Sequence, residues 1–165
     1  MPSAQGVSPT LDFSRPDVVQ SFWVINDTVM GGVSTAQLRT IAGAMAFEGE
    51  VSLENNGGFA SCRGPVTFPA RSAALLLTVR GDGQRYQLTL KIDDSMNAPQ
   101  YQAAFMAPRD WQTLRFESSA FTARFRGRAV TAPRLELGEA RYVGLLISDR
   151  QVGPFRIELR SIAAE

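Results

Sequence analysis

Carboxylates and arginines are the groups with which this sequence could do chemistry, because histidine is absent and cysteine and lysine are each present only once. The chain has no histidine, one cysteine (Cys62), one lysine (Lys91), sixteen arginines and sixteen acidic residues. Without an imidazole there is no Ser-His-Asp or Cys-His catalysis, no ordinary general base of that kind, and no zinc site that needs histidine. Lys91 follows no glycine-rich loop, so the Gly-Lys-Ser/Thr phosphate loop is excluded. A carboxylate pair for glycoside hydrolysis could be drawn from Asp27, Glu54, Asp82, Asp93 and Asp149, but spacing along the chain sets no two of them across a sugar. No residue stands out as catalytic, cofactor-binding or metal-ligating.

What remains is binding chemistry. The stretch Val24-Ile25-Asn26-Asp27-Thr28-Val29-Met30-Gly31-Gly32-Val33-Ser34 has adjacent glycines, not the spaced glycines of a dinucleotide fingerprint, and no convincing helix behind them. It reads as a bend in which Asn26 and Asp27 bond nearby amides. Glu54-Asn55-Asn56-Gly57-Gly58-Phe59 reads as a hairpin connection, since Asn-Gly supplies the positive φ of tight turns. In Phe59-Ala60-Ser61-Cys62-Arg63, alternation puts Arg63 on the face of Ser61; if that face is covered, Arg63 needs a carboxylate or carbonyl partner. Arg80-Gly81-Asp82 reads as a turn between strands, and Asp93-Asp94-Ser95-Met96-Asn97 as a solvated loop that lacks the glycine and distal glutamate of a calcium loop. Arg124-Phe125-Arg126-Gly127-Arg128 is the densest positive patch, more often a solvated edge than a phosphate site.

The elements that position these segments are strands. Tyr86 to Asp93 alternates Tyr, Leu, Leu and Ile against Gln, Thr, Lys and Asp, and Phe155 to Arg160 alternates apolar and charged residues. Similar runs occupy Tyr101–Met106, Trp111–Phe116 and Tyr142–Ile147; Leu75–Val79 reads as a buried strand and Met45–Leu53 as a longer one. Helix is confined to short candidates at Ser34–Ala44 and Pro16–Gln20, the latter with Ser14 as cap and Asp17 in the capping-box position. Many short strands with Gly and Pro punctuation predict a β-sandwich or barrel. Residues 1–10 are expected to form a loose arm and residues 11–165 one domain. A net charge of +1 gives no field for a polyanion, so nucleic acid is not an expected partner. The longest apolar run is too short for membrane insertion, and the absence of a recognisable leader makes a cytoplasmic location the expectation.

Several blocks together resemble the complex I intermediate-associated protein 30 family. They are Trp23 with Asn26 through Ser34; Phe47, Gly49 and Val51 through Ser61; Arg80-Gly81-Asp82-Gly83 with Arg85-Tyr86; and, later, Tyr101, Phe105, Trp111, Phe121, Arg126-Gly127-Arg128 and Gly144 through Asp149 with Gln151 and Gly153-Pro154-Phe155. The resemblance implies an all-β, galactose-binding-like jelly-roll sandwich, mostly antiparallel, with at most one or two short helices. It further implies a non-enzymatic binding module without cofactor. Eukaryotic members assist assembly of the mitochondrial NADH:ubiquinone oxidoreductase, so the implied role is a protein adaptor or assembly chaperone. The implied partners are proteins, respiratory-complex subunits or assembly intermediates among them. A carbohydrate-binding module is the alternative, with Trp23, Trp111, Tyr101 and Asn55 as conceivable contacts. The candidate binding residues are Asn26, Asp27, Asn55, Asn56 and Arg63 in the signature loops, then Arg126 and Arg128 as a partner-facing patch.

Overall fold

A computed structural model describes residues 9–26, 32, 34–54, 58–93, 95, 98–125, 128–148 and 151–165. In chain order its elements are β1 (Pro9–Asp12), α1 (Pro16–Gln20), β2 (Trp23–Asn26), β3 (Thr35–Ile41), β4 (Ala44–Val51), β5 (Ala60–Pro65), β6 (Ala74–Gly81) and β7 (Arg85–Lys91). There follow β8 (Gln100–Met106), β9 (Gln112–Glu117), β10 (Thr122–Phe125), β11 (Arg128–Ala129), β12 (Tyr142–Ile147) and β13 (Gly153–Ala164), with single 3-10 turns at Ser118–Ala120 and Leu137–Glu139.

Two antiparallel sheets result. One runs β3-β4-β13-β6-β9, with β1 also paired to β13; the other runs β11-β10-β8-β7-β12-β5-β2. The period-two pattern explains why they stack. Tyr86, Leu88 and Leu90 of β7, Val143, Leu145 and Ile147 of β12, and Phe155, Ile157 and Leu159 of β13 all point inward and are buried. Aromatic rings fill the core, with Phe47 edge-on to Phe155 at 5.0 Å within one sheet and Phe105 edge-on to Phe116 at 5.7 Å between the layers. The fold class is the expected one: an all-β sandwich with one short helix.

Strand positions match the alternation closely, and β12 coincides with the expected Tyr142–Ile147. Other expectations are corrected. Ser34–Ala44 holds no helix; Thr35–Ile41 is β3, hydrogen-bonded to β4 through a tight turn in which Gly43 takes φ 74°. Its threonines and Ile41 favour extended backbone, and Ala36 and Leu38 pack against the core. At α1 the cap residue is Arg15 rather than Ser14, whose hydroxyl instead donates to Asp12 Oδ1 at 2.6 Å. The link after β4 is not a hairpin, because β4 belongs to the six-stranded sheet and β5 to the seven-stranded one. That segment crosses between layers; its Asn55, Asn56 and Gly57 lie outside the described residues.

The outer face of the six-stranded sheet is tied up internally. Register sets Gln37 beside Glu48 and Glu48 beside Arg156, and on the next row Glu158 beside Arg80. Arg39 Nε donates to Glu48 Oε2 at 2.9 Å, and Arg156 donates to Glu48 Oε1 and, at 2.7 Å, to Glu158 Oε2. Arg80 Nη2 donates to Glu158 Oε1 at 2.6 Å. The lattice ends on Trp111, whose ring carries the guanidinium groups of Arg160 at 4.0 Å and Arg80 at 4.9 Å. Burial would raise the Glu158 carboxyl, but the hydrogen bonds from Arg80 and Arg156 outweigh it and hold the group below the usual glutamate range. Glu48 is lowered chiefly by its bonds from Arg39 and Gln37.

Because both folded pKa values are depressed, this stabilisation is present above the unfolded carboxylate range and is lost as pH falls through the folded values. Glu158→Gln is expected to cost about 1 kcal/mol near neutral pH, between a surface and a buried pair. Thermal melts from about pH 7 to about pH 3 should show the gap between wild type and variant closing below the glutamate range. A gap of constant size across that range would show that the lattice does not hold the sheet.

Candidate binding face

The outer face of the seven-stranded sheet is built differently. Strand registers align Trp23 with Arg63, Arg63 with Gly144, Gly144 with Thr89, Thr89 with Gln102, and Gln102 with Thr122. This single row crosses β2, β5, β12, β7, β8 and β10, and so gathers residues that lie far apart along the chain. The parallel row runs Ile25, Ser61, Leu146, Gln87 and Ala104. All of these are the outward members of their strands, since the alternate residues form the core.

Trp23 is 42% exposed and meets Tyr142 edge-on, ring centroids 6.1 Å apart. Arg63 lies against Trp23 in register, on the same outward side as Tyr142. Burial pushes the Arg63 guanidinium below the ordinary arginine range, opposed by the Tyr142 phenol; it remains a cation at neutral pH. The expected carboxylate or carbonyl partner is not there: among the described residues Arg63 forms no side-chain hydrogen bond or ion pair. Gln87 and Thr89, only 9% and 4% exposed, likewise form no side-chain hydrogen bond among the described residues. Withdrawn polar groups ordinarily have partners, and leaving one unsatisfied costs about 1–3 kcal/mol. All three share the outward face of the seven-stranded sheet.

Gly144 keeps the floor of that face low. A Cβ there would sit 2.0 Å from the Cys62 carbonyl oxygen, so any side chain would push β12 away from β5. Neighbouring Ser61 is satisfied, donating to the Ile25 carbonyl at 2.6 Å. Cys62 itself points inward, and burial pushes its thiol up to about 12, which rules it out as a nucleophile near neutral pH.

The other sequence candidates fall elsewhere. Asp27, Asn55, Asn56 and Arg126 lie outside the described residues, as does the side chain of Asn26, whose backbone pairs with Ala60 at the end of β2. Arg128 pairs with Phe125 at the far edge of the sheet, on the opposite side from Arg124 and away from Arg63. Trp111 belongs to the ion-pair lattice of the other sheet. The Tyr101 ring is buried, with its hydroxyl donating to the Pro133 carbonyl at 2.8 Å. Of the carboxylates, Asp82 is half-buried and engaged within the fold: it accepts from Tyr86 Oη at 3.0 Å, Gln84 Nε2 at 2.7 Å and the Arg156 amide at 2.8 Å. A cleft of about 440 Å³ over Gln37, Glu48 and Arg156 is lined by charges that already pair with one another. Among the described residues no His, Cys, Asp and Glu side chains gather as a metal site would require, and no helix is long and apolar enough to cross a membrane.

Residues 11–159 match the family of complex I intermediate-associated protein 30, and the chain belongs to that family. No curated protein sequence matches it significantly. Solved structures resemble it in fold. The family 11 carbohydrate-binding module of Clostridium thermocellum, in complex with a β-1,3-1,4-mixed-linked tetrasaccharide, has a TM-score of 0.65 at 12% identity, over 88% of this chain and 89% of that one. CtCBM11 in solution gives 0.70 at 13% identity, over 99% and 97%. An exo-β-agarase gives 0.59 at 12% identity, covering 97% of this chain but 25% of the enzyme. At such identities the likeness is one of fold.

Arg63→Met tests whether the guanidinium is structural. Removing a half-buried cation that has no partner among the described residues should leave stability within about 0.5 kcal/mol of wild type, or raise it, in urea denaturation. A loss of about 2 kcal/mol or more would mean that Arg63 is anchored within the fold.

Proposed function

We propose that this chain is a non-catalytic binding module, an adaptor or assembly chaperone that takes a protein partner on the outer face of the seven-stranded sheet. The carrying observation is the contrast between the two outer faces. One sheet's charges are paired with each other, while the other presents Arg63, Gln87 and Thr89 withdrawn from water without partners among the described residues. Family membership points the same way and makes subunits or assembly intermediates of the respiratory NADH:ubiquinone oxidoreductase the first partners to test, in the cytoplasmic compartment. The absence of histidine, the burial of Cys62 and the internal hydrogen bonds of Asp82 favour binding over catalysis. A second reading, carbohydrate binding, is favoured by the exposed Trp23 ring beside Tyr142 and the amides of Gln87 and Gln102, on a fold shared with carbohydrate-binding modules.

The test is site-specific photocrosslinking in native cells. A photoreactive residue at Gln102, on the seven-stranded sheet, should give discrete protein adducts, and the same residue at Gln37, on the six-stranded sheet, should not. Adducts from Gln37 alone would place the working surface on the wrong sheet. No adducts from either position, together with binding to a glycan array that Trp23→Ala abolishes, would replace the adaptor reading with the carbohydrate one.

A further inference from the structure

Gln87 and Thr89 stand two residues apart on the outward side of β7, 9% and 4% exposed, and neither side chain forms a hydrogen bond among the described residues. Each is an uncharged group that both donates and accepts. Their flanks differ. On one side β12 sets Gly144 beside Thr89 and Leu146 beside Gln87, with Tyr142 at the next outward position. On the other side β8 sets Gln102 beside Thr89 and Ala104 beside Gln87, and Gln102 Nε2 donates to Gln100 Oε1 at 2.7 Å. The neutral pair on β7 therefore runs along a boundary, with half-buried Tyr142 and Leu146 to one side and the amides of Gln100 and Gln102 to the other. Gly144, without a side chain, and Ala104, with a single carbon, leave room at that boundary.

The spacing of the pair matches one kind of ligand. Alternate residues of a strand recur about every 6.8 Å, and one edge of an extended peptide presents the N–H and C=O groups of alternate residues at the same repeat. We infer that Gln87 and Thr89 receive the main chain of an extended peptide segment of the partner, lying along β7 with one edge turned down onto the sheet. This rests on the adaptor reading and deepens it. A chain so placed turns alternate side chains toward β12 and toward β8. The segment that fits has apolar residues alternating with uncharged polar ones, the apolar set covering Tyr142 and Leu146 and the polar set meeting Gln100 and Gln102. That alternation is the pattern of a β-strand, so the partner's segment is a strand not paired within its own protein. Main-chain hydrogen bonds supply the affinity and the side-chain alternation the selection.

The test is a titration of the full chain, labelled for NMR at its side-chain amides and threonine methyls, with an octapeptide alternating leucine and serine. Two further peptides carry N-methyl groups, one on its leucine nitrogens and the other on its serine nitrogens. The unmodified peptide is expected to shift the Gln87 side-chain amide and the Thr89 methyl and to leave Thr113, on the opposite sheet, unchanged. Only one edge faces the sheet, so one methylated peptide should bind about tenfold more weakly and the other like the parent. The double variant Gln87→Met with Thr89→Val should erase that difference while melting at or above the wild-type temperature, because it removes polar groups that lack partners. A lower melting temperature would show that the two groups are satisfied within the fold and overturn the inference. Equal binding of all three peptides on this face would overturn the main-chain assignment and leave the adaptor reading standing. Shifts confined to the six-stranded sheet would overturn both. Silence from the peptides, with Gln87 and Thr89 answering a mixed-linked β-glucan tetrasaccharide, would overturn both in favour of sugar; silence from every probe would overturn the extended-segment assignment.

Discussion

A β-strand turns alternate side chains to opposite faces, so two sheets sharing one core leave just two broad outer faces on which polar side chains can stand. The properties of this molecule follow from how those faces differ. Glu158 is gripped from one side by Arg80 and from the other by Arg156, and Glu48 by Arg156 and Arg39. That continuous lattice stitches β3, β4, β13 and β6 together by side chains as well as backbone. A partner docking there would have to displace pairs that are already formed. On the outer face of the seven-stranded sheet, Arg63, Gln87 and Thr89 form no side-chain hydrogen bond among the described residues.

The cost of that arrangement is visible in the burial of Gln87 and Thr89. A side chain that loses water without gaining a hydrogen bond opposes folding by about 1–3 kcal/mol, and the inward cluster of Tyr86, Leu88, Leu90, Val143 and Leu145 offsets it from the other side of the same strands. Strand β7 thereby combines hydrophobic packing beneath with buried polar side chains above. Side chains on central strands are held more firmly than side chains on loops.

Much of this is legible in the sequence, and the illegible part has a definite cause. Alternation in Tyr86 to Asp93 separates Leu88 and Leu90 from Gln87, Thr89 and Lys91, and the strand expected at Tyr142–Ile147 agrees with β12 at both ends. Period two tells which residues share a side of a strand, but not which strands are neighbours. Trp23, Arg63, Gly144, Thr89 and Gln102 form one row only because β2, β5, β12, β7 and β8 are adjacent in an order far from their order along the chain. The same limit hides Arg80 beside Glu158, 78 positions away. The hairpin expected at Asn55-Asn56-Gly57-Gly58 fails for this reason too: local turn chemistry is blind to whether the next strand continues the sheet or crosses to the other. Arg63 and its need for a partner can be read from its own strand, while the lack of one within the described residues emerges only from the assembled fold.

Arginine footprinting most directly tests the claim that the seven-stranded sheet bears the working face. The tagged chain would be labelled with phenylglyoxal free and again while captured with its cellular partner, and modification would be read residue by residue by mass spectrometry. The account predicts that capture protects Arg63 and Arg85 and leaves Arg39 and Arg115, on the opposite sheet, labelled as in the free chain. Protection of Arg39 and Arg115 with Arg63 unchanged would contradict it.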